Sequence, residues 1–124
     1  MADSESVLAQ VQNVKELVAY QDEAVVSRTL VDTGSGTITA FAFDEGQGLS
    51  GHTASYDATV IVIEGKVEIR ISGRAFRLEE GQVITMPANK PHAIKAITRF
   101  KMLLVMIRAR SSANSNRKGV LDKL

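Results

Sequence analysis

Apolar residues along this chain recur at two different periods. Near the N-terminus Val7, Val11, Val14 and Val18 stand three or four apart, the spacing of one helical face, and Asn13 with Glu16 three residues later resembles a helix-opening cap. The pattern predicts a short helix that begins as late as Val14. From Ala24 onward the period falls to two and β-branched residues dominate: AVVSRTLV, GTITAFAF, DATVIVI, KVEIRIS, RAFRLEE, QVITMP, HAIKAI and FKMLLVMIR. These segments predict strands. Turn signals separate them, and both Glu64-Gly65 and Ser72-Gly73 fit tight two-residue hairpins, so a largely antiparallel sheet is expected.

The faces of these strands differ in what they must meet. In KVEIRIS, Val67, Ile69 and Ile71 alternate with Lys66, Glu68, Arg70 and Ser72, as expected where one face is solvated. Val60 to Ile63 and Met102 to Ile107 are instead apolar at successive positions, which predicts burial on both faces. A homodimer would supply the second cover; the N-terminal helix or a neighbouring sheet of the same chain is the alternative. If a strand begins at Asp57, then Ala58, Val60 and Val62 share one face, and Asp57, on the other, is expected to bond nearby turn backbone. The final segment, RSSANSNRKGVLDKL, has no period.

A chain of 124 residues suits one domain with a core of its own. Cysteine is absent, so disulfides, thiolate nucleophiles and thiolate metal sites are excluded, and a metal would need nitrogen or oxygen donors. Only two histidines are present. A net charge of +1 gives no field pointing to nucleic acid or an anionic membrane as partner. The polar, acidic start MADSESV is unlike a secretory signal and no apolar run approaches the ~20 residues that span a bilayer, so a cytoplasmic location is expected. The chain holds no serine nucleophile elbow, no lysine-bearing phosphate loop and no histidine pair at helical spacing. Arg70, Arg74 and Arg77 lie close together, but Glu68, Glu79 and Glu80 among them predict a solvated face rather than an anion site.

Many short strands with regular turns point to a barrel or a double-sheet jelly roll. Two spacings then narrow the choice. Gly46, His52 and Gly65 fall where glycine, the first histidine and the closing glycine of a first cupin motif stand, with Ala54 in place of the second histidine and Ala58 in place of the glutamate. In GQVITMPANKPHAIKA, Gly81, Pro87 and His92 match the second motif, while Asn89 replaces a glycine and Ala96 an asparagine. Asparagine is a mild departure, since it tolerates a left-handed backbone better than most residues. The chain resembles small single-domain cupins across about Gly34 to Arg108. The resemblance implies an all-β fold, the cupin double-stranded β-helix or jelly-roll barrel, with a short N-terminal helix. It also implies an N-terminal strand or helix extension over 1–23, a barrel over 24–109 and a flexible tail over 110–124.

It further implies that His52 and His92 converge on one cavity, with the Ala58 face of its strand looking inward. Catalytic zinc commonly takes three protein ligands, and oxygen-activating non-haem iron two histidines with a carboxylate, so these two fall one donor short. Gln47 could add an oxygen. Three functions stay open. The first is a module binding a small organic ligand in a pocket formed by His52, His92, Ala54, Ala58, Gln47, Val60 and Met86. The second is a metal-dependent oxygenase or isomerase with iron, manganese, nickel or zinc on His52 and His92. The third is a metal-free epimerase- or cyclase-like enzyme in which a histidine transfers the proton.

Overall fold

The computed structural model describes residues 8–50 and 55–108. Nine strands make up most of it: β1 (Val25–Thr33), β2 (Gly36–Phe43), β3 (Gly48–Leu49), β4 (Tyr56–Glu64), β5 (Lys66–Ile71), β6 (Arg74–Glu79), β7 (Val83–Met86), β8 (His92–Ala96) and β9 (Phe100–Arg108). Eight are the segments marked by the alternating pattern. The two-residue β3 carries too few side chains to show a period. All pairings are antiparallel, in one sheet of order β1-β2-β9-β4-β7 and another of order β3-β8-β5-β6. The two stack as a jelly-roll sandwich.

Alternation places the core between the sheets. Ala58, Val60 and Val62 on β4, Met102 on β9, Val67 and Ile69 on β5, and Ile94 and Ala96 on β8 all pack into one buried cluster. Phe43 and Phe100, both fully buried, stack with ring centroids 4.8 Å apart and close one end of the sandwich. In β4 the register slips between Val62 and Glu64, so Val62 and Ile63 are both buried although they are sequential.

The two predicted hairpins turn out to be different structures. Ser72-Gly73 is a two-residue hairpin: β5 and β6 pair from Ile71 opposite Arg74, and both turn residues have positive φ, 50° and 86°. Glu64-Gly65 is not a hairpin, because β4 belongs to one sheet and β5 to the other. Gly65 is the corner between them. Its φ is +85°, and a Cβ there would collide with the Arg99 carbonyl oxygen and lie 2.7 Å from Cα of Phe100. Sequence spacing alone cannot separate a strand that returns beside its predecessor from one that crosses to the facing sheet.

The N-terminal helix is a single 3-10 turn, Val14–Glu16, with Asn13 Nδ2 3.4 Å from Glu16 Oε1. Its longer apolar stripe does not pack as a helical face: Val11 is fully exposed, whereas Val18 is buried. The segment crosses the outer face of the five-stranded sheet. There Leu17, Val18 and Tyr20 pack with Ala40, Ala42, Val26 and Leu103. This supplies part of the second cover for β9 from within the chain.

Charged groups fasten this segment at the closed end. Arg99 donates from Nε to Asp44 (2.8 Å) and from a terminal nitrogen to Asp22 (2.6 Å), and its guanidinium lies 5.1 Å from the Tyr20 ring centroid. Tyr20 donates its hydroxyl to Glu64 at 2.6 Å; burial first, then the adjacent carboxylate, raises the phenol's pKa well above its ordinary value. The Lys101 ammonium, 4.9 Å from the same ring centroid, donates to the Lys15 carbonyl. Asp44 also accepts the backbone N–H groups of Glu23 and Glu45. Arg99's hydrogen bond, followed by those two, lowers its pKa from an ordinary 3.8 to about 2.

Gly65→Ala is therefore expected to cost about 2–4 kcal/mol of folding free energy, from left-handed strain plus the clash, measured by urea denaturation. The depressed Asp44 pKa gives a second expectation. A carboxyl whose folded pKa lies below its unfolded value stabilises at pH above the unfolded value, and this is lost as pH falls through the folded one. The stability difference between the parent chain and Asp44→Asn should thus hold from neutral pH to about 4 and shrink towards pH 2. A constant difference across that window would show that Asp44 does not clamp the segment as a carboxylate.

Candidate functional site

Strand directions decide which residues meet at the open end. β4 runs from Tyr56 towards the Gly65 corner and β5 runs back from it, so Tyr56 and Ile71 finish at the same end of the sandwich, opposite the Phe43–Phe100 pair. Antiparallel pairing brings the last residues of β9 and β7, Arg108 and Met86, and the first residues of β6 and β8, Arg74 and His92, to that end as well. The loop from Pro87 to Pro91 borders it. Ser72 N–H donates to the Pro91 carbonyl at 2.8 Å, Ala88 N–H donates to Asp57 Oδ1 at 2.9 Å, and Asn89 takes φ 64°. The left-handed asparagine and the outward, turn-bonding Asp57 both agree with the sequence expectation.

His92 sits directly across from Ile71 and shares its strand face with buried Ile94 and Ala96, which directs it to the inner side of the sandwich, half-buried. Ala58 lies between Met86 on one neighbouring strand and Met106 on the other. Ala58 is 3 % exposed, Met86 1 % and Val60 0 %: all three are buried, the first two at the end of the sandwich that holds His92. Gln47 is not brought to this end. Its carbonyl accepts from Ala96 N–H at 2.8 Å, which places its backbone four residues along β8 from His92, about 13 Å at strand rise. His52 and Ala54 lie outside the described residues.

Three groups not predicted for the site are found there. Tyr56 pairs with Arg108 on the face of β4 that carries Ala58, and the Arg108 guanidinium donates to the Tyr56 hydroxyl at 3.2 Å with its carbon 5.3 Å from the ring centroid. Arg74 pairs with Ile71, shares a face with Phe76 and lies 4.8 Å from that ring's centroid. Arg70, on the opposite face, pairs with Glu68 at 3.0 Å as a solvated ion pair. Arg70, Arg74 and Arg77 are all exposed, as the sequence expectation had it, but Arg74 stands at an inward register position. Parity along the strands held the signal, since residues 70 and 74 are separated by a hairpin that reverses which one faces inward.

Two shallow grooves, of about 380 and 300 Å³, run along the seam where β6 and β7, the edges of the two sheets, lie without pairing. Arg77 and Leu78 line both. Neither contains His92, and the convergence of polar groups lies at the open end.

The cupin domain model matches residues 40–108, more than half of the chain. The chain is a cupin. Solved structures agree. A conserved protein of unknown function from Streptococcus pyogenes is 38 % identical, with TM-score 0.78 over 83 % of this chain and 90 % of its own. A Cupin 2 conserved barrel domain protein from Leptotrichia buccalis is 35 % identical, with TM-score 0.74 over 76 % of this chain and 46 % of its own. A cupin superfamily protein from Desulfitobacterium hafniense is 26 % identical, with TM-score 0.71 over 73 % and 84 %. No curated protein matches.

The candidate metal pair of this cupin is seen only at His92, because His52 lies outside the described residues. No three His, Asp or Glu side chains gather among them, the carboxylate position of the first motif is the buried Ala58, and Asp57 is turned to the Pro87–Pro91 loop. Among the described residues no helix is long and apolar enough to cross a membrane.

Proposed function

We propose that this cupin binds a small organic molecule at the open end of the sandwich. The observation that supports it is the convergence of Tyr56, Arg74, His92 and Arg108 on one end, above partly buried Phe76, Ile71 and Met106. Apolar walls with a few polar groups are the usual composition of a ligand site. Methyl-labelled protein titrated with a small-molecule fragment set is expected to show shifts at Ile71 and Met106. Fragments that move only methyls elsewhere, or none at all, would overturn the reading.

We also propose that the protein works as a homodimer through the uncovered half of the outer face. Ile61 on β4, Val83 on β7 and Ile107 on β9 are exposed there, by 36, 59 and 60 %. The same chain leaves Val11 and Val14 exposed on the segment that covers the other half of this face. A second copy would cover both reciprocally. Light scattering at micromolar concentration should give twice 13.4 kDa, and Val83→Asp with Ile107→Asp should give the monomer. A monomeric parent chain would refute it.

A further inference from the structure

We infer that the open end selects an organic acid, with Arg74 and Arg108 flanking the ligand's carboxylate and Tyr56 supplying a neutral donor. This deepens the binding reading above and rests on it. The two guanidiniums come from different sheets, Arg74 from β6 and Arg108 from β9, and packed sheets stand about 10 Å apart. The two cations thus approach this end from opposite layers of the sandwich.

Each guanidinium is held by an aromatic ring of its own strand pair or strand rather than by a carboxylate. Arg74 rests over Phe76 and Arg108 over Tyr56. A guanidinium next to a ring keeps its full charge and N–H donors unneutralised, the groups that take a carboxylate. Among the described residues the ion pairs engage Lys15, Arg70 and Arg99, and none engages Arg74 or Arg108. Arg108 does spend donors on the Gly34 carbonyl at 3.3 Å and on the Tyr56 hydroxyl. Because that hydroxyl accepts, its own O–H remains to donate to a ligand oxygen.

Among the described residues the other charged groups nearby are few. Asp32 occupies an inward register position on β1, opposite Thr37, two strands and about 10 Å from β9. Asp57 faces the opposite side of β4 and is engaged with Ala88 N–H. Lys90 lies on the bordering loop and adds positive charge. Among the described residues cations outnumber carboxylates around this end, although the chain as a whole is nearly neutral. Below them the surface is apolar, with Phe76, Ile71 and Met106, so the favoured ligand joins an anionic head to an apolar body.

Matched probes that differ only in charge test this. Benzoate and benzamide, and isovalerate and isovaleramide, are titrated into the full-length protein while Ile71 and Met106 methyl shifts are followed. Each acid is expected to bind about tenfold more tightly than its amide, and the preference should shrink as salt is added. Arg74→Gln and Arg108→Gln should each remove several-fold of the acid's advantage and leave the amide unchanged, whereas Arg77→Gln, on the outer face, should change neither. If Arg108→Gln fails to fold, Arg108→Lys keeps the charge without the fork and should give an intermediate preference. Amides that bind as well as acids would overturn the inference while leaving the binding reading intact. Absence of shifts at both methyls with every probe would overturn both.

Discussion

The turn from β4 into β5 at Gly65 is the constraint on which the rest depends. At that point the chain leaves one sheet and starts the other, and only a residue without Cβ fits against Arg99 and Phe100 with φ +85°. Because β5 runs back along the direction of β4, the start of one and the end of the other meet at a single end. The stacked Phe43 and Phe100 rings seal the opposite end. An end that gathers polar side chains and an end closed by aromatic packing are consequences of that one reversal.

At the closed end the protein uses charge to attach what hydrophobic burial alone would hold loosely. The N-terminal segment has one 3-10 turn, and few of its side chains are buried. Arg99 and Lys101 bracket the Tyr20 ring, Glu64 takes its hydroxyl, and Asp22 and Asp44 take the guanidinium. Exposed pairs of this kind are individually worth little, but several converging on one ring fix its position. The ring in turn helps cover Ala40 and Ala42, where small side chains allow the segment to lie close to the sheet.

Much of the fold was legible because alternation is a strong signal and β-branched residues fill it: the eight long strands, the inward face of β4, the role of Asp57 and the left-handed Asn89 all follow from residue types and parity. The short N-terminal turn starts at Val14, the later of the two starts the spacing allowed, because Val11 is fully exposed and only Val18 of the described valines in the stripe is buried. Sheet crossing at Gly65 was hidden because a tight turn and a corner use the same residues. The site was legible only in part. His92 could be placed by its motif, whereas Tyr56, Arg74 and Arg108 follow from register, a property of pairs of strands that one strand's sequence does not contain. Gln47 was drawn to the site by proximity in sequence to His52, yet the β2–β3 turn holds its backbone at the other end.

The β6–β7 seam gives the wall of this sandwich a direction of weakness. Backbone bonds hold neighbouring strands within each sheet, whereas β6 and β7 do not pair and are joined through the Glu80–Gln82 turn, whose Gly81 and Gln82 bond to Val62 at the closed end. Charged residues Arg74, Arg77 and Glu79 along β6 discourage foreign strands from adding to that edge. Because no backbone ladder bridges β6 and β7, the two sheets can part along this seam without breaking a strand pair.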